Sequence, residues 1–144
     1  MNSKSYKTFD ILLVEDNPAD ARLITEFLND ADLINDLYIR QDGIKAMDFL
    51  NQHCKQNDYY PNFVILDLNL PGKNGLEVLK EIKTDNDLRK IPVMIFTTST
   101  AEEDIKKCYD NHASCYITKP LDFDEFTKTI NLIKDFWLNT VKLP

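Results

Sequence analysis

The stretch Phe63-Val-Ile-Leu-Asp-Leu-Asn-Leu-Pro-Gly72 constrains the fold of this chain more than any other. Four apolar residues run without a break into one carboxylate, Asp67, and Pro71-Gly72 closes the segment. A short apolar run bounded by turn residues is the pattern of a parallel strand buried on both faces. Ligands of open parallel α/β sheets collect beyond the carboxyl ends of the strands, so Asp67 stands where such a sheet does its chemistry. Taken alone, the same aspartate reads equally as the N-cap of a turn or helix.

The flanking chain repeats the strand pattern at regular intervals. Phe9-Asp-Ile-Leu-Leu-Val14 is a first apolar run that ends in Glu15 and Asp16. Asn17 as N-cap and Pro18 at the first helical position then open a helix with Leu23, Ile24, Phe27, Leu28 and Ala31 at helical spacing. Leu37-Tyr-Ile-Arg40 is short and mixed, as suits an edge strand, and Ile44, Met47 and Leu50 mark a second helix that fades near Cys54. Residues 55–61 read as a polar loop. The turn Pro71 to Gly75 leads into a helix carrying Leu76, Leu79 and Ile82.

Pro92-Val-Met-Ile-Phe96 is a fourth strand ending at Thr97, and Thr100 with Glu103 reads as the capping box of a helix with few apolar positions (Ala101, Ile105, Cys108). Ser114-Cys-Tyr-Ile-Thr118 is a fifth, followed by Lys119-Pro120. Asp122 with Glu125 is a second capping box, opening a last helix whose Phe126, Ile130, Ile133 and Trp137 share one face. Leu132 and Phe136 form a second apolar pair on that helix, packed on a neighbouring helix or left for a partner. Five strands alternating with five helices predict an α/β fold, a flavodoxin-like (βα)5 doubly wound parallel sheet of strand order 2-1-3-4-5.

Composition removes several classes of function. A chain of 144 residues is expected to make one domain, 1–144, with a core from about 9 to 138. The formal charge of −7, with basic residues scattered, argues against nucleic acid as a partner. Only Gly43, Gly72 and Gly75 are present, so no glycine-rich loop can cradle a nucleotide. Cys54, Cys108 and Cys115 include no CxxC pair and no zinc spacing, which points to the cytoplasm. No segment has the length of a membrane span, and the first residues lack the apolar region of an export signal, so neither membrane nor export is expected. His53 and His112 are isolated and read as surface or helix residues.

In the order 2-1-3-4-5, strands 1 and 3 are neighbours at the point where the winding reverses, so Glu15, Asp16 and Asp67 converge. Three carboxylates in one crevice repel one another unless something compensates. A hard divalent cation is the simplest compensation, and Mg²⁺ commonly takes one or two carboxylates together with phosphate oxygens. Thr97 and Lys119 bring a hydroxyl and an ammonium to the ends of strands 4 and 5. Singly, each has an ordinary reading as a cap or a solvated charge. Together with the acids they surround a place where a phosphoryl group would be stabilised on all its oxygens.

Ile-Leu-Leu-Val-Glu-Asp-Asn, Val-Ile-Leu-Asp-Leu-Asn-Leu-Pro-Gly, Phe-Thr-Thr-Ser and Cys-Tyr-Ile-Thr-Lys-Pro, in this order and spacing from about Phe9 to Trp137, resemble the receiver domain of two-component response regulators. The resemblance implies that Asp67 is the phosphoacceptor, that Glu15 and Asp16 are the acid pair with Asp16 a direct Mg²⁺ ligand, and that Asp67 and the Asn69 carbonyl complete the metal set. It makes Thr97 the switch hydroxyl, Tyr116 the switch aromatic and Lys119 the lysine that binds the transferred group. A sensor histidine kinase or histidine phosphotransfer protein would be the donor. Such a chain is not an enzyme beyond catalysing its own phosphorylation and slow autodephosphorylation. Asn69 and Ser99 offer no strong acid or base to an attacking water, so an unexceptional dephosphorylation rate is expected.

Because only Asn139 to Pro144 would follow the last helix, output is expected through protein contacts: a downstream target, or a homodimer on the face of helix 4, strand 5 and helix 5. The Asn17-Pro18-Ala-Asp20 helix start is also similar to single-domain receivers paired with bacterial phytochrome kinases. Two other readings stand beside this one. An aspartyl-nucleophile phosphohydrolase would usually carry a second aspartate where Asn69 stands. A receiver-like module that takes no phosphate usually lacks one of the acids, the threonine or the lysine.

Overall fold

In the computed structural model, residues 8–29 and 34–140 are described; Ala31 of the expected first helix, the first seven residues and the last four lie outside them. Five strands, β1 (Phe9–Val14), β2 (Ile34–Arg40), β3 (Phe63–Leu66), β4 (Val93–Thr97) and β5 (Cys115–Thr118), make one parallel sheet in the order β2-β1-β3-β4-β5. The helices are α1 (Pro18–Asn29), α2 (Gly43–Asp48), α3 (Gly75–Thr84), α4 (Glu102–Asp110) and α5 (Phe123–Lys134). This is the flavodoxin-like topology read from the alternation of patterns. No helix among the described residues is long and apolar enough to cross a membrane.

Because successive strand side chains point to opposite faces, the apolar runs feed two separate core layers. Leu12, Val14, Val64, Leu66, Val93 and Ile95 pack with α2, α3 and α4. Ile11, Leu13, Phe63, Ile65, Met94 and Phe96 pack with α1 and α5, through Ile24, Leu28, Phe126, Ile130, Ile133 and Trp137. All four residues of β3 are buried, as expected for the central strand, whereas β2 at the edge is half-exposed.

At four of the five helix starts the side chain of the N-cap residue does the work. Asn17 Oδ1 accepts from the N–H groups of Ala19 and Asp20, Asn74 from Glu77, and Asp122 from Glu125. The N-cap of α2 is Asp42, whose carboxylate accepts from the Lys45 N–H at 2.7 Å. At α4 the expected capping box of Thr100 and Glu103 does not form. Ala101 occupies the N-cap without a side-chain bond, and Ser99 Oγ instead reaches Asp104 Oδ2 at 2.6 Å and accepts from the Ala101 N–H at 3.3 Å. The N-cap thus falls one residue after Thr100, away from the strand, while the Ser99 backbone is held from the other side by the Tyr116 hydroxyl.

The second helix also outlasts its apolar pattern. A π-helical segment, Phe49–Cys54, continues α2 and a last helical turn, Lys55–Asn57, follows, so the first part of the expected 55–61 loop is helical. Asp58 in the left-handed conformation (φ 50°) ends it. Phe49 and His53 stack inside this segment at 5.1 Å, which rewards the extra turn. Ile44, counted with the apolar face of α2, is 52 % exposed. A second π-helical segment, Asp135–Thr140, continues α5 and carries the buried Trp137.

Gly75 sits where α3 starts against the end of β3. A Cβ there would lie 2.1 Å from the Asp67 carbonyl oxygen, so only glycine lets the helix begin this close to the site.

A carboxylate and ammonium cluster at the carboxyl ends of the strands

The strand ends bring Glu15 and Asp16 after β1, Asp67 after β3, Thr97 at the end of β4 and Lys119 after β5 to one crevice. Carboxylate oxygens of Glu15, Asp16 and Asp67 all lie within 4.8 Å of one another, although nothing in the chain order makes Asp67 a neighbour of the pair. A donor set of three hard oxygens at this spacing fits a divalent cation such as Mg²⁺. Glu15 and Asp67 are buried and Asp16 is exposed, which leaves one side of the cluster open to water or to an incoming group.

Lys119 lies at the centre of the buried part. Its Nζ is 2.5 Å from Glu15 Oε1, 2.9 Å from Asp67 Oδ2 and 3.0 Å from Asp20 Oδ2. Burial alone would drive the ammonium toward its neutral form, but the hydrogen bonds and charges of Glu15 and Asp67 outweigh it, and its pKa is raised. Burial raises the Asp67 carboxyl too. There the Lys119 hydrogen bond and charge, with the Asn69 N–H donating to Oδ1 at 3.1 Å, prevail and hold it below the usual range. For Glu15 burial wins over Lys119, and its carboxyl is pushed up to about 7.

Thr97 is fully buried, and among the described residues its Oγ1 is the buried side-chain polar atom without a hydrogen-bond partner. Asn69 is exposed beside Asp67, its Nδ2 donating to Thr98 Oγ1 at 3.4 Å. Tyr116 is half-buried on β5, and its hydroxyl donates to the Ser99 backbone oxygen at 2.8 Å, pinning the loop that follows Thr97. The Tyr116 N–H in turn donates to Tyr109 Oη of α4 at 3.1 Å. Every site residue read from the sequence therefore lies at or beside the strand ends. Asp20 was the one missed: a first-turn acid reads as a partner of the helix dipole, and its position four after Asp16 was the only hint that it faces the site.

His53 and His112 are remote from this cluster, in the π-helical segment and in the turn after α4 with φ 67°. The cysteines are free thiols, and burial pushes each up to about 11.

Known proteins carry the same organisation. The family model of the response regulator receiver domain matches residues 11–131. The response regulator Rcp1 of Synechocystis sp. is 45% identical over 145 residues, covering 100% of this chain and 99% of that protein. A crystal structure of the Mn²⁺-bound form of Rcp1 superposes with a TM-score of 0.88 over 94% of this chain and 99% of that one. The phosphorylated cyanobacterial phytochrome response regulator RcpA superposes with a TM-score of 0.90 at 43% identity, over 95% and 99% of the two chains. With the family model matched over most of its length and these relatives matched almost end to end, the chain belongs to the response regulator receiver domain family, close to the phytochrome-associated members.

Proposed function

We propose that the chain works as a single receiver module in which Asp67 accepts a phosphoryl group from the phosphohistidine of a sensor histidine kinase or histidine phosphotransfer protein. The observation that carries this reading is the convergence of Glu15, Asp16 and Asp67 oxygens within 4.8 Å, with Lys119 Nζ 2.9 Å from Asp67 Oδ2. A carboxylate kept ionised by its ammonium neighbour is a nucleophile, and no separate base is needed to prepare it. Asp67 attacks phosphorus, the P–N bond breaks, and its electron pair returns to the imidazole. Lys119 meets the oxygens of the transferred group. Mg²⁺ held by Glu15, Asp16, Asp67 and the Asn69 carbonyl would supply further positive charge against those oxygens.

Thr97 gives the product a readout. Its buried, unbonded hydroxyl gains an acceptor when a phosphoryl oxygen arrives, and the loop that Tyr116 holds at Ser99 moves with it. The resulting change falls on α4, β5 and α5, the face offered to a downstream protein or to a second copy of the chain. The phytochrome named for RcpA makes a phytochrome-type histidine kinase of the cytoplasm the candidate donor. Beyond its own phosphorylation and slow dephosphorylation the chain turns over no substrate.

Incubation with Mg²⁺ and acetyl phosphate, followed by intact mass, tests the reading. Wild type gains one phosphate and Asp67→Asn gains none; a wild type that stays unmodified under these conditions removes the phosphoacceptor role.

A further inference from the structure

We propose that Asp20 is a positioning residue that keeps Lys119 over Asp67 during phosphoryl transfer, an inference that rests on the phosphoacceptor reading of Asp67. An ammonium has three N–H donors. All three have a carboxylate within hydrogen-bond reach: Glu15 Oε1 at 2.5 Å, Asp67 Oδ2 at 2.9 Å and Asp20 Oδ2 at 3.0 Å. Two of these acceptors have other work. Glu15 and Asp67 belong with Asp16 to the cluster that suits a divalent cation, and Asp67 is also the nucleophile. Asp20 belongs to neither group.

A cation drawing on Glu15 and Asp67 competes with the ammonium for the same oxygens, and the two positive charges repel at short range. The bonds from Lys119 to Glu15 and Asp67 therefore weaken just when the site becomes competent. Asp20 is the acceptor that stays. Its side chain is 24 % exposed and that of Lys119 3 %, so the pair forms a partly desolvated, charge-assisted bond. It also has a firm base, because the Asp20 N–H donates to Asn17 Oδ1 at 3.1 Å in the capped start of α1. A first-turn acid that served only the helix dipole could point into water. This one reaches a lysine 99 positions away in sequence.

With one N–H kept on Asp20, the other two are free for the phosphoryl oxygens. When acetyl phosphate is the donor, Asp67 attacks phosphorus, the P–O bond to acetate breaks, and its electron pair leaves on acetate. Lys119, tethered by Asp20, orients the oxygens in transit.

Two measurements test the proposal on the full chain: the rate of phosphate gain from acetyl phosphate at saturating Mg²⁺, and the ¹⁵N–¹H signal of the Lys119 ammonium with and without Mg²⁺. Asp20→Asn is expected to phosphorylate about tenfold more slowly, with Asp20→Glu recovering most of the loss. Without Mg²⁺ the ammonium signal persists in wild type and Asp20→Asn alike. With Mg²⁺ it persists in wild type and is lost in Asp20→Asn. The Mg²⁺-induced rise in Tm stays the same in both, because Asp20 is no metal ligand. An Asp20→Asn protein that gains phosphate at the wild-type rate, or keeps its ammonium signal with Mg²⁺, overturns the proposal. A reduced Tm with neither of those changes assigns Asp20 to the helix dipole and overturns it as well. No phosphate on wild type is a different result, the failure of the phosphoacceptor reading itself.

Discussion

Thr97 holds a buried hydroxyl that makes no well-formed hydrogen bond, although it stands near enough to Asp67 to help hold that carboxyl down, and such a group costs about 1–3 kcal/mol when it is left unpaired. Thr97→Val keeps the shape and removes the oxygen, so it is expected to raise the urea midpoint of the unphosphorylated protein by the equivalent of about 1 kcal/mol. A lowered midpoint would mean that the hydroxyl has a partner. Glu15 makes the opposite kind of statement, through pH. Burial raises its pKa from the ordinary 4.5 to about 7, so the folded protein holds a proton that the unfolded chain has lost. That contribution to stability is complete below the unfolded value and disappears as pH rises through about 7. A divalent cation needs the carboxylate deprotonated. The Mg²⁺-induced rise in Tm is therefore expected to be small near pH 6 and larger near pH 8; equal rises would mean that Glu15 is ionised throughout.

Elements were legible in the sequence wherever the signal is local. Asn17-Pro18 and Asp122 with Glu125 start α1 and α5 as their patterns predict, because an N-cap bonds within three residues of itself. The start of α4 was misread because the N-cap is Ala101, which offers no side-chain signal, while Ser99 bonds Asp104 and the Ala101 N–H and is held at its backbone by Tyr116 from another strand. The π-helical continuation of α2 has the same origin. Its Phe49 ring is packed by Tyr38 at 4.8 Å and by the Arg40 guanidinium at 4.5 Å, both on β2, and no pattern within the helix announces them. Strand ends gave the five site residues because strand length is written in apolar runs. Asp20 escaped notice because its partner, Lys119, stands 99 positions further along the chain, after β5, and only the closed sheet brings the two together.

For the molecule as a whole, strand order could be read directly, since five buried or half-buried runs with intervening helices leave few right-handed windings. What remains exposed once the sheet closes is more informative than what is buried. Among the described residues Leu132 and Phe136 are left 69 % and 52 % exposed, beside Cys115 and Ile117 in a groove of about 450 Å³. An apolar face of this kind suits a second copy of the chain. Light scattering of the phosphorylated protein is expected to give a dimer mass, and Phe136→Glu a monomer; a monomer mass for both removes the dimer and leaves the face to other proteins. The same helix carries the sole tryptophan, with Trp137 stacked on Phe63 at 5.1 Å and its Nε1 donating to Met94 Sδ at 3.3 Å. Phe63 opens the strand that delivers Asp67, so the only tryptophan is lodged between the last helix and the central strand, and the seating of that helix can be followed by selectively excited tryptophan emission without attaching a label.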